Sequence, residues 1–249
     1  VATKDGVTAN AVLLAVYATA LSRWSSEPSF TLNVLANFRP FTDPDLKAMA
    51  GNCSNTVPIE SHPTGTFLDQ VKCLQDCLTE RLGHAIIPGV ELMRRIQQKS
   101  ASDDPVLPFV FTSGLQSGQL DELLPDMHRF ELLDSHLQTP QVWLDHQVIE
   151  NHEGLICYWD CVEEIFEPGT IEALVEESSR IIDALIASEA AWQDAYPGSS
   201  ENYSLKPWVE GPKVAAGKLL CSDFIAQAKR TPTRLAVQFG NQSISYGDL

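Results

Sequence analysis

The sequence predicts an α/β fold, because segments with the apolar spacing of helices alternate with short segments rich in β-branched and aromatic residues. Its 249 residues suffice for one large domain or two small ones. Hydrophobic residues make up 44% of the chain, which is enough for a substantial buried core. The apolar runs are all too short for a membrane span, and the opening VATKDGVTAN is not typical of a secretory signal.

The first half of the chain carries three helical patterns and two strand patterns. Residues 9–24 are predicted to form a buried helix, because an apolar stripe at helical spacing follows Thr8, a residue type suited to the N-cap. Residues 30–37, FTLNVLAN, are rich in strand-forming residues, and residues 54–60 form a second strand whose proline favours the edge of a sheet. Two amphipathic helices follow, at residues 65–84 and 89–98.

The second half begins with a predicted strand at residues 107–114, which runs into a glycine turn. Residues 140–151 and 154–160 are predicted to pair as a hairpin, because NHEG between them is a good turn sequence. Residues 169–192 have the spacing of a long amphipathic helix.

A change in composition predicts the domain boundaries. Residues 195–217 are rich in proline, glycine and serine without any period, which is typical of a linker. The tail, residues 218–249, is too short to be a domain, and we expect it to open a further one with a helix at 222–229 and a hairpin after it. The main domain is predicted to cover residues 1–194.

The charge of the chain excludes two classes of partner. Seventeen Lys and Arg residues against 33 Asp and Glu give a net charge of −16. Binding to nucleic acid or to an anionic membrane requires clustered cations, so neither partner is expected. An acidic protein of this kind is typical of the cytoplasm.

The six cysteines admit two interpretations. Cys73 and Cys77, and likewise Cys157 and Cys161, are four residues apart, so each pair can share a helix face and supply two metal ligands. However, no CxxC or HxxxH motif completes a site. We therefore predict reduced structural thiols and no metal, which again favours the cytoplasm.

Asp145 is the first candidate for chemistry, since strand interiors usually exclude aspartate. In QVWLDHQVI, alternation predicts that Gln141, Trp143, Asp145 and Gln147 share one face of a strand. If that face is solvated, the aspartate is an ordinary surface residue. If Trp143 belongs to the wall of a cavity, burial raises the affinity of the carboxylate for protons, which suits acid–base catalysis.

VFTSG is the second candidate, because a strand that ends in Phe-Thr-Ser-Gly can expose a hydroxyl at its tip. The structural alternative is that Thr112 or Ser113 only satisfies a turn amide.

Two segments carry a resemblance to a known family. PFVFTSGL (108–115) and QTPQVWLDHQV (138–148) resemble signature motifs of heterocyclization domains, the condensation-domain variants of nonribosomal peptide synthetases. GVTANAVLLAVYATALSRWS, FTLN and WDCVEEIFEPG are similar to further family segments. FIAQAKRTP and ISYGDL, in the tail, resemble the start of an adenylation domain.

The resemblance implies a fold and a reaction. The fold is the C-terminal lobe of a chloramphenicol-acetyltransferase-like two-layer α/β sandwich. The reaction joins an acyl group to a carrier-bound Cys, Ser or Thr and then cyclodehydrates the product to a thiazoline or oxazoline. The phosphopantetheine arm belongs to the carrier domains, and this chain itself needs no cofactor. Siderophores and related peptides are the usual products.

The resemblance also implies the site. Thr112 and Asp145 correspond to the threonine and aspartate that the family uses in cyclodehydration. The further substrate contacts that we expect are Gln141, Trp143, Ser113, and Asn33 or Asn37 as the asparagine of the tunnel.

Three departures from the family leave alternatives open. The family's G-D-F-T-S segment is GNCSNT (51–56) here, and its F-N-R segment is NFR (37–39). The chain does not begin with Met, and it lacks the lobe with the family's aspartate-rich motif, so we expect it to be inactive alone. The alternatives are a domain that condenses without cyclising, and a non-catalytic scaffold for carrier and adenylation domains.

Overall fold

A computed structural model describes most of the chain. The described residues are 2–37, 53–63, 65–85, 87–99, 105–115, 139–151, 154–198, 222–240 and 242–249. The chain divides into two compact units, residues 1–205 and 206–249. Most of the predicted linker therefore lies outside the described residues, as do residues 38 and 39 of NFR and the first two residues of GNCSNT.

The first unit is built on a mixed five-stranded sheet with the order β2-β1-β3-β4-β5. The parallel pairs are β1–β3 and β3–β4, and the antiparallel pairs are β1–β2 and β4–β5. The predicted edge position of the second strand and the predicted hairpin are both confirmed. The strands are β1 (Phe30–Asn37), β2 (Ser54–Ser61), β3 (Phe109–Gly114), β4 (Leu144–Asn151) and β5 (Gly154–Cys161).

The helices of this unit follow the predicted segments closely. Thr8 caps the second of them by accepting a hydrogen bond from the amide of Ala11, as predicted. Thr66 and Asp69 form a capping box at the start of the third. The helices are α1 (Ala2–Asp5), α2 (Ala9–Ser22), α3 (Phe67–Gly83), α4 (Gly89–Lys99) and α5 (Thr170–Ala187), and two short 3-10 segments cover Glu163–Ile165 and Glu189–Gln193.

Helix α2 lies at the centre of the core. The sequence predicts a buried helix here, and nearly every residue from Ala11 to Leu21 is buried. A helix that is apolar on all sides is typical of a position enclosed by other elements, and α2 packs against α3, α5 and β3. Its Tyr17 ring contacts Phe111, His146 and Trp159, which lie side by side on β3, β4 and β5.

The opposite face of the sheet is contacted by α4. Its Met93 lies 3.6 Å from the side-chain amide of Asn33, and its first residue, Gly89, lies against the backbone of Thr56. A Cβ atom at Gly89 would approach the carbonyl oxygen of Thr56 to 2.2 Å, so this contact requires glycine.

Two strands begin later than the sequence predicts. Residues 107 and 108 lie before β3, because Leu107 has a left-handed backbone with φ 56°. Residues 140–143 lie before β4, because Pro140 has no amide hydrogen and Gln141 has φ 67°. The amides of Trp143 and Leu144 donate instead to the carbonyl of Pro108. The predicted long helix likewise ends at Ala187 and is followed by the second 3-10 segment.

The described residues of the second unit form a helix and a hairpin, as the tail sequence predicts. Helix α6 covers Ser222–Arg230, and the antiparallel strands β6 and β7 cover Leu235–Phe239 and Gln242–Ser245. Gly240, at the turn, has φ 58°. Across the described part of the chain, every helix is too short or too polar to traverse a lipid bilayer.

Candidate active site on the sheet face opposite α2

The sheet register aligns polar residues on the face opposite α2. Asn33, Val110, Asp145 and Asp160 occupy one row across β1, β3, β4 and β5. In the next row, Thr112 pairs with Gln147. Because side chains two residues apart along a strand share a face, both rows project to the same side.

Asp145 is held inside the protein, which answers the question that its strand position raises. The residue is only 8% exposed. The hydroxyl of Thr112 donates to its Oδ1 at 3.1 Å, and the side-chain amide of Gln147 donates to its Oδ2 at 3.0 Å. Both oxygens therefore have a donor, and the carboxylate plane is fixed between β3 and its own strand.

Burial raises the pKa of Asp145 above its ordinary value of 3.8. The negative charge of Asp160 also raises this pKa, while the hydrogen bonds from Thr112 and Gln147 act in the opposite direction. The net direction is upward, so this carboxyl group binds a proton more readily than an aspartate in water. A buried carboxyl group whose pKa is raised in this way is suited to general acid–base catalysis.

On the opposite face of β4, His146 is buried among aromatic side chains. His146 is 4% exposed, its ring lies 4.1 Å from the Trp159 ring, and its Nδ1 lies 3.3 Å from the carbonyl oxygen of Tyr158. Burial lowers the pKa of His146 to about 4, so the imidazole is neutral at physiological pH. A buried neutral ring packed among aromatic rings is a structural residue.

Thr112 and Ser113 point to opposite sides of the sheet. Thr112 reaches Asp145, whereas the hydroxyl of Ser113 donates to Oδ1 of Asn10 on α2. The structure therefore separates the two hydroxyls of VFTSG, and it brings only the threonine to the carboxylate.

The predicted grouping of Gln141 and Trp143 with Asp145 on one strand face is wrong, because both residues precede β4. Gln141 is exposed in a turn. Trp143 is half-buried and packs edge-on against the ring of Phe109, with 6.2 Å between the ring centroids. The pKa of Asp145 is raised chiefly by burial.

The two candidate asparagines lie on β1. Asn33 is 5% exposed and belongs to the row of Asp145, two strands away, or about 10 Å at ordinary strand spacing. Asn37 is the last residue of β1, where it pairs with Ser54.

Sequence reasoning assigned no role to Asp160, although two signals pointed to it. The NHEG turn fixes the hairpin register, and this register places Asp160 directly across from Asp145. Alternation along β4 then places Gln147 on the same face, 2.9 Å from Oδ2 of Asp160.

The cysteines of the described residues are unpaired thiols, at positions 53, 73, 77, 157 and 161. Burial raises the pKa of both Cys157 and Cys161, which keeps these thiols protonated. Among the described residues, no three His, Cys, Asp or Glu side chains are grouped to hold a metal ion.

Comparison with known proteins identifies the family. Residues 1–197 match the condensation domain family. The chain is 29% identical to pyochelin synthetase PchF of Pseudomonas aeruginosa, over 98% of this chain and 13% of the relative. It is 28% identical to phenyloxazoline synthase MbtB of Mycobacterium tuberculosis, over 98% of this chain and 18% of the relative. The chain thus spans less than a fifth of these curated relatives.

Solved structures give the same result. The nonribosomal peptide synthetase FmoA3 superposes with a TM-score of 0.70 at 28% identity, over 99% of this chain and 27% of the other. The cyclization-docking bidomain of EpoB from Sorangium cellulosum superposes with a TM-score of 0.67 at 26% identity, over 77% of this chain and 38% of the other. The chain belongs to the condensation domain family of nonribosomal peptide synthetases, and its predicted chloramphenicol-acetyltransferase-like α/β fold is confirmed.

Proposed function

We propose that this condensation domain is a heterocyclization domain, which forms an amide to a carrier-bound Cys, Ser or Thr and then closes it to a thiazoline or oxazoline. The observation that carries this proposal is the buried Asp145 carboxyl group, which has a raised pKa and a hydrogen bond from Thr112. Amide formation moves one proton, from the attacking amine to the departing thiolate, and releases no water. Cyclodehydration requires proton transfer twice.

The chemistry has two stages. In the first, the amine of the acceptor residue attacks the donor thioester, an amide forms, and the donor carrier's phosphopantetheine thiol leaves. In the second, the acceptor's thiol or hydroxyl attacks the new amide carbonyl carbon and loses its proton. The resulting ring carbon carries a hydroxyl. This hydroxyl gains a proton and leaves as water, while the former amide nitrogen loses its N–H proton and the C=N bond forms.

Asp145 is assigned to the second stage. As a carboxylate it accepts the proton from the attacking thiol or hydroxyl, and as a carboxylic acid it delivers a proton to the departing oxygen. Thr112 orients the carboxylate through its hydrogen bond. Asn33 lies on the same face of the sheet and is suited to contact a substrate in front of that face.

The partners follow from the family. Condensation domains work with carrier and adenylation domains, and the curated relatives are much longer than this chain. We propose residues 1–194 as the C-terminal lobe, 195–217 as a linker and 218–249 as the start of an adenylation domain. The carrier-borne phosphopantetheine arm brings both substrates, and cytoplasmic localisation fits this work.

The test is the intact mass of the carrier-bound product made by the complete synthetase, as wild type and as Asp145→Asn. Wild type is expected to give a product lighter by one water than the linear amide, and the variant to give the linear amide. Asp183→Asn, an exposed carboxylate on α5, is the matched control and should cyclise normally.

Two results would assign another function. A linear amide from the wild type would make this a condensation domain that does not cyclise. Unchanged products after substitution of both Thr112 and Asp145, with carrier binding retained, would favour a scaffold that only docks other domains.

A further inference from the structure

Gln147 connects two carboxylates across the β4–β5 hairpin. Its side-chain nitrogen lies 3.0 Å from Oδ2 of Asp145 and 2.9 Å from Oδ2 of Asp160. A primary amide has two N–H bonds, so one hydrogen can be donated to each carboxylate. Among the described residues, this nitrogen is the one donor that contacts both acids.

The two acids require such a bridge. Asp145 and Asp160 are directly paired in the antiparallel register, where Cβ atoms lie about 5 Å apart. Like charges at this separation repel each other, and each carboxylate would rotate away from the other unless a donor lay between them. With Gln147 on Oδ2 and Thr112 on Oδ1, Asp145 is held from both sides.

We propose that Gln147 is a positioning residue for cyclodehydration, which aims the Asp145 carboxylate at the substrate by clamping it against Asp160. The inference rests on the proposed function, since it concerns the ring-closing stage alone. Gln147 transfers no proton and has no role in forming the amide.

The hydrogen bonds from Gln147 also offset part of the repulsion between the Asp145 and Asp160 carboxylates. Among the described residues, Asp160 from β5 is the titratable group that raises the pKa of Asp145, while β3 contributes the uncharged Thr112. The charge of Asp145 in turn raises the pKa of Tyr17 on α2, whose phenol is already kept protonated by burial. His146, next to Asp145 on β4, faces the opposite side of the sheet. Asp160 favours the protonated form of Asp145, and the Gln147 amide favours the ionised form that begins the reaction.

The experiment uses the complete synthetase and follows the ratio of cyclised to linear product against pH. Gln147→Met keeps the length of the side chain and removes both donors. We expect ring formation to fall about ten- to hundredfold near neutral pH, the loss typical of one hydrogen bond to a charged group. Linear amide should form at the wild-type rate, and the rising limb of the pH profile for ring closure should move to higher pH.

A second variant separates positioning from folding. In the Gln147→Met background, Asp160→Asn removes the charge that the amide had offset, so it should restore part of the ring-forming rate and move the pH profile back down. Gln98→Met, which replaces an exposed amide on α4, is the control. It should change neither the ratio of cyclised to linear product nor the pH profile of ring closure.

The possible results separate a failure of the inference about Gln147 from a failure of the proposed heterocyclization function. An unchanged ring-forming rate and pH profile in Gln147→Met would overturn the inference while leaving heterocyclization intact. A parallel loss of amide and ring formation, with a lower melting temperature, would reduce Gln147 to a structural residue. Only linear product from the wild type would overturn the proposed function itself.

Discussion

The hydroxyl of Thr112 lies 3.1 Å from Oδ1 of Asp145, although 33 residues separate them in the chain. The parallel register of β3 and β4 causes this contact, because it pairs Thr112 with Gln147, two residues beyond Asp145 on the same face. The two motifs VFTSG and QVWLD therefore form one hydrogen-bonded unit, and a change to either residue acts on the same carboxylate.

Thr112→Val removes the hydroxyl and keeps the shape of the side chain. Under the proposed function, we expect cyclodehydration to fall about ten- to hundredfold, since a hydrogen bond to a charged group is worth roughly 1.5–3 kcal/mol. Amide formation should persist. The bond from Thr112 lowers the pKa of Asp145, so its loss should also move the pH profile of ring closure to higher pH. Product mass measured over a pH series checks both effects.

Thr112→Ser is the matched control, because it retains the donor and loses only a methyl group. This variant should cyclise at close to the wild-type rate. Equal losses of cyclised product in the serine and valine variants would mean that the methyl group, and not the hydrogen bond, is what matters at this position.

The sheet and most of the site could be predicted from local patterns. Strand composition and the NHEG turn are short-range signals, and they located β1 and the β4–β5 hairpin. Alternation along the strand predicted that Gln147 and Asp145 lie on the same face of β4, where their side chains are hydrogen-bonded. The parallel pairing of β3 with β4 is a long-range contact across 29 intervening positions, and only the family resemblance joined Thr112 to Asp145 before the structure did.

One error of the sequence interpretation has a local physical cause. Alternation was extended through Trp143, but the left-handed backbone of Gln141 ends the extended chain, and Trp143 packs against Phe109. The prediction that α2 is buried is confirmed, but the elements that enclose it, among them α3 and α5, are far away in sequence. The spacing of apolar residues predicts neither the backbone angle of Gln141 nor which elements pack around α2.

Asp145→Asn should raise the stability of the protein at neutral pH while it removes cyclisation. The folded-state pKa of Asp145 is raised, so the stability that this group contributes is fully present below its ordinary pKa of 3.8 and is lost as the pH rises through the folded value. Asparagine carries no charge to bury. The melting temperature of the variant should exceed that of the wild type at pH 7, and the difference should shrink as the pH falls toward 4. A variant less stable than the wild type at pH 7 would contradict this.

His146 should make the protein sensitive to acid. Its folded-state pKa is lowered from 6.5 to about 4, so the neutral ring contributes stability above pH 6.5 that is lost as the pH falls toward 4. Two to three pKa units correspond to about 3 kcal/mol. His146→Phe keeps an aromatic ring against Tyr17 and Trp159 and cannot be protonated. The free energy of unfolding is measured in urea at pH 7.5 and at pH 5. It should decrease less between the two pH values in the variant than in the wild type. An equal decrease in both proteins would show that protonation of His146 does not cause the acid sensitivity.

Glu177 joins the end of α2 to α5 inside the core, where its side chain is only 1% exposed. Its two oxygens each lie 2.6 Å from a guanidinium nitrogen, Oε1 from Arg23 and Oε2 from Arg180. Glu177→Ala would remove the buried carboxylate that both guanidinium groups contact, and removal of one member of a buried ion pair typically costs about 3–5 kcal/mol. Glu176→Ala, on the exposed side of the same helix, should change the free energy of unfolding by less than about 0.5 kcal/mol. Chemical denaturation of both variants is the measurement, and similar small effects would show that this ion pair does not hold α2 to α5.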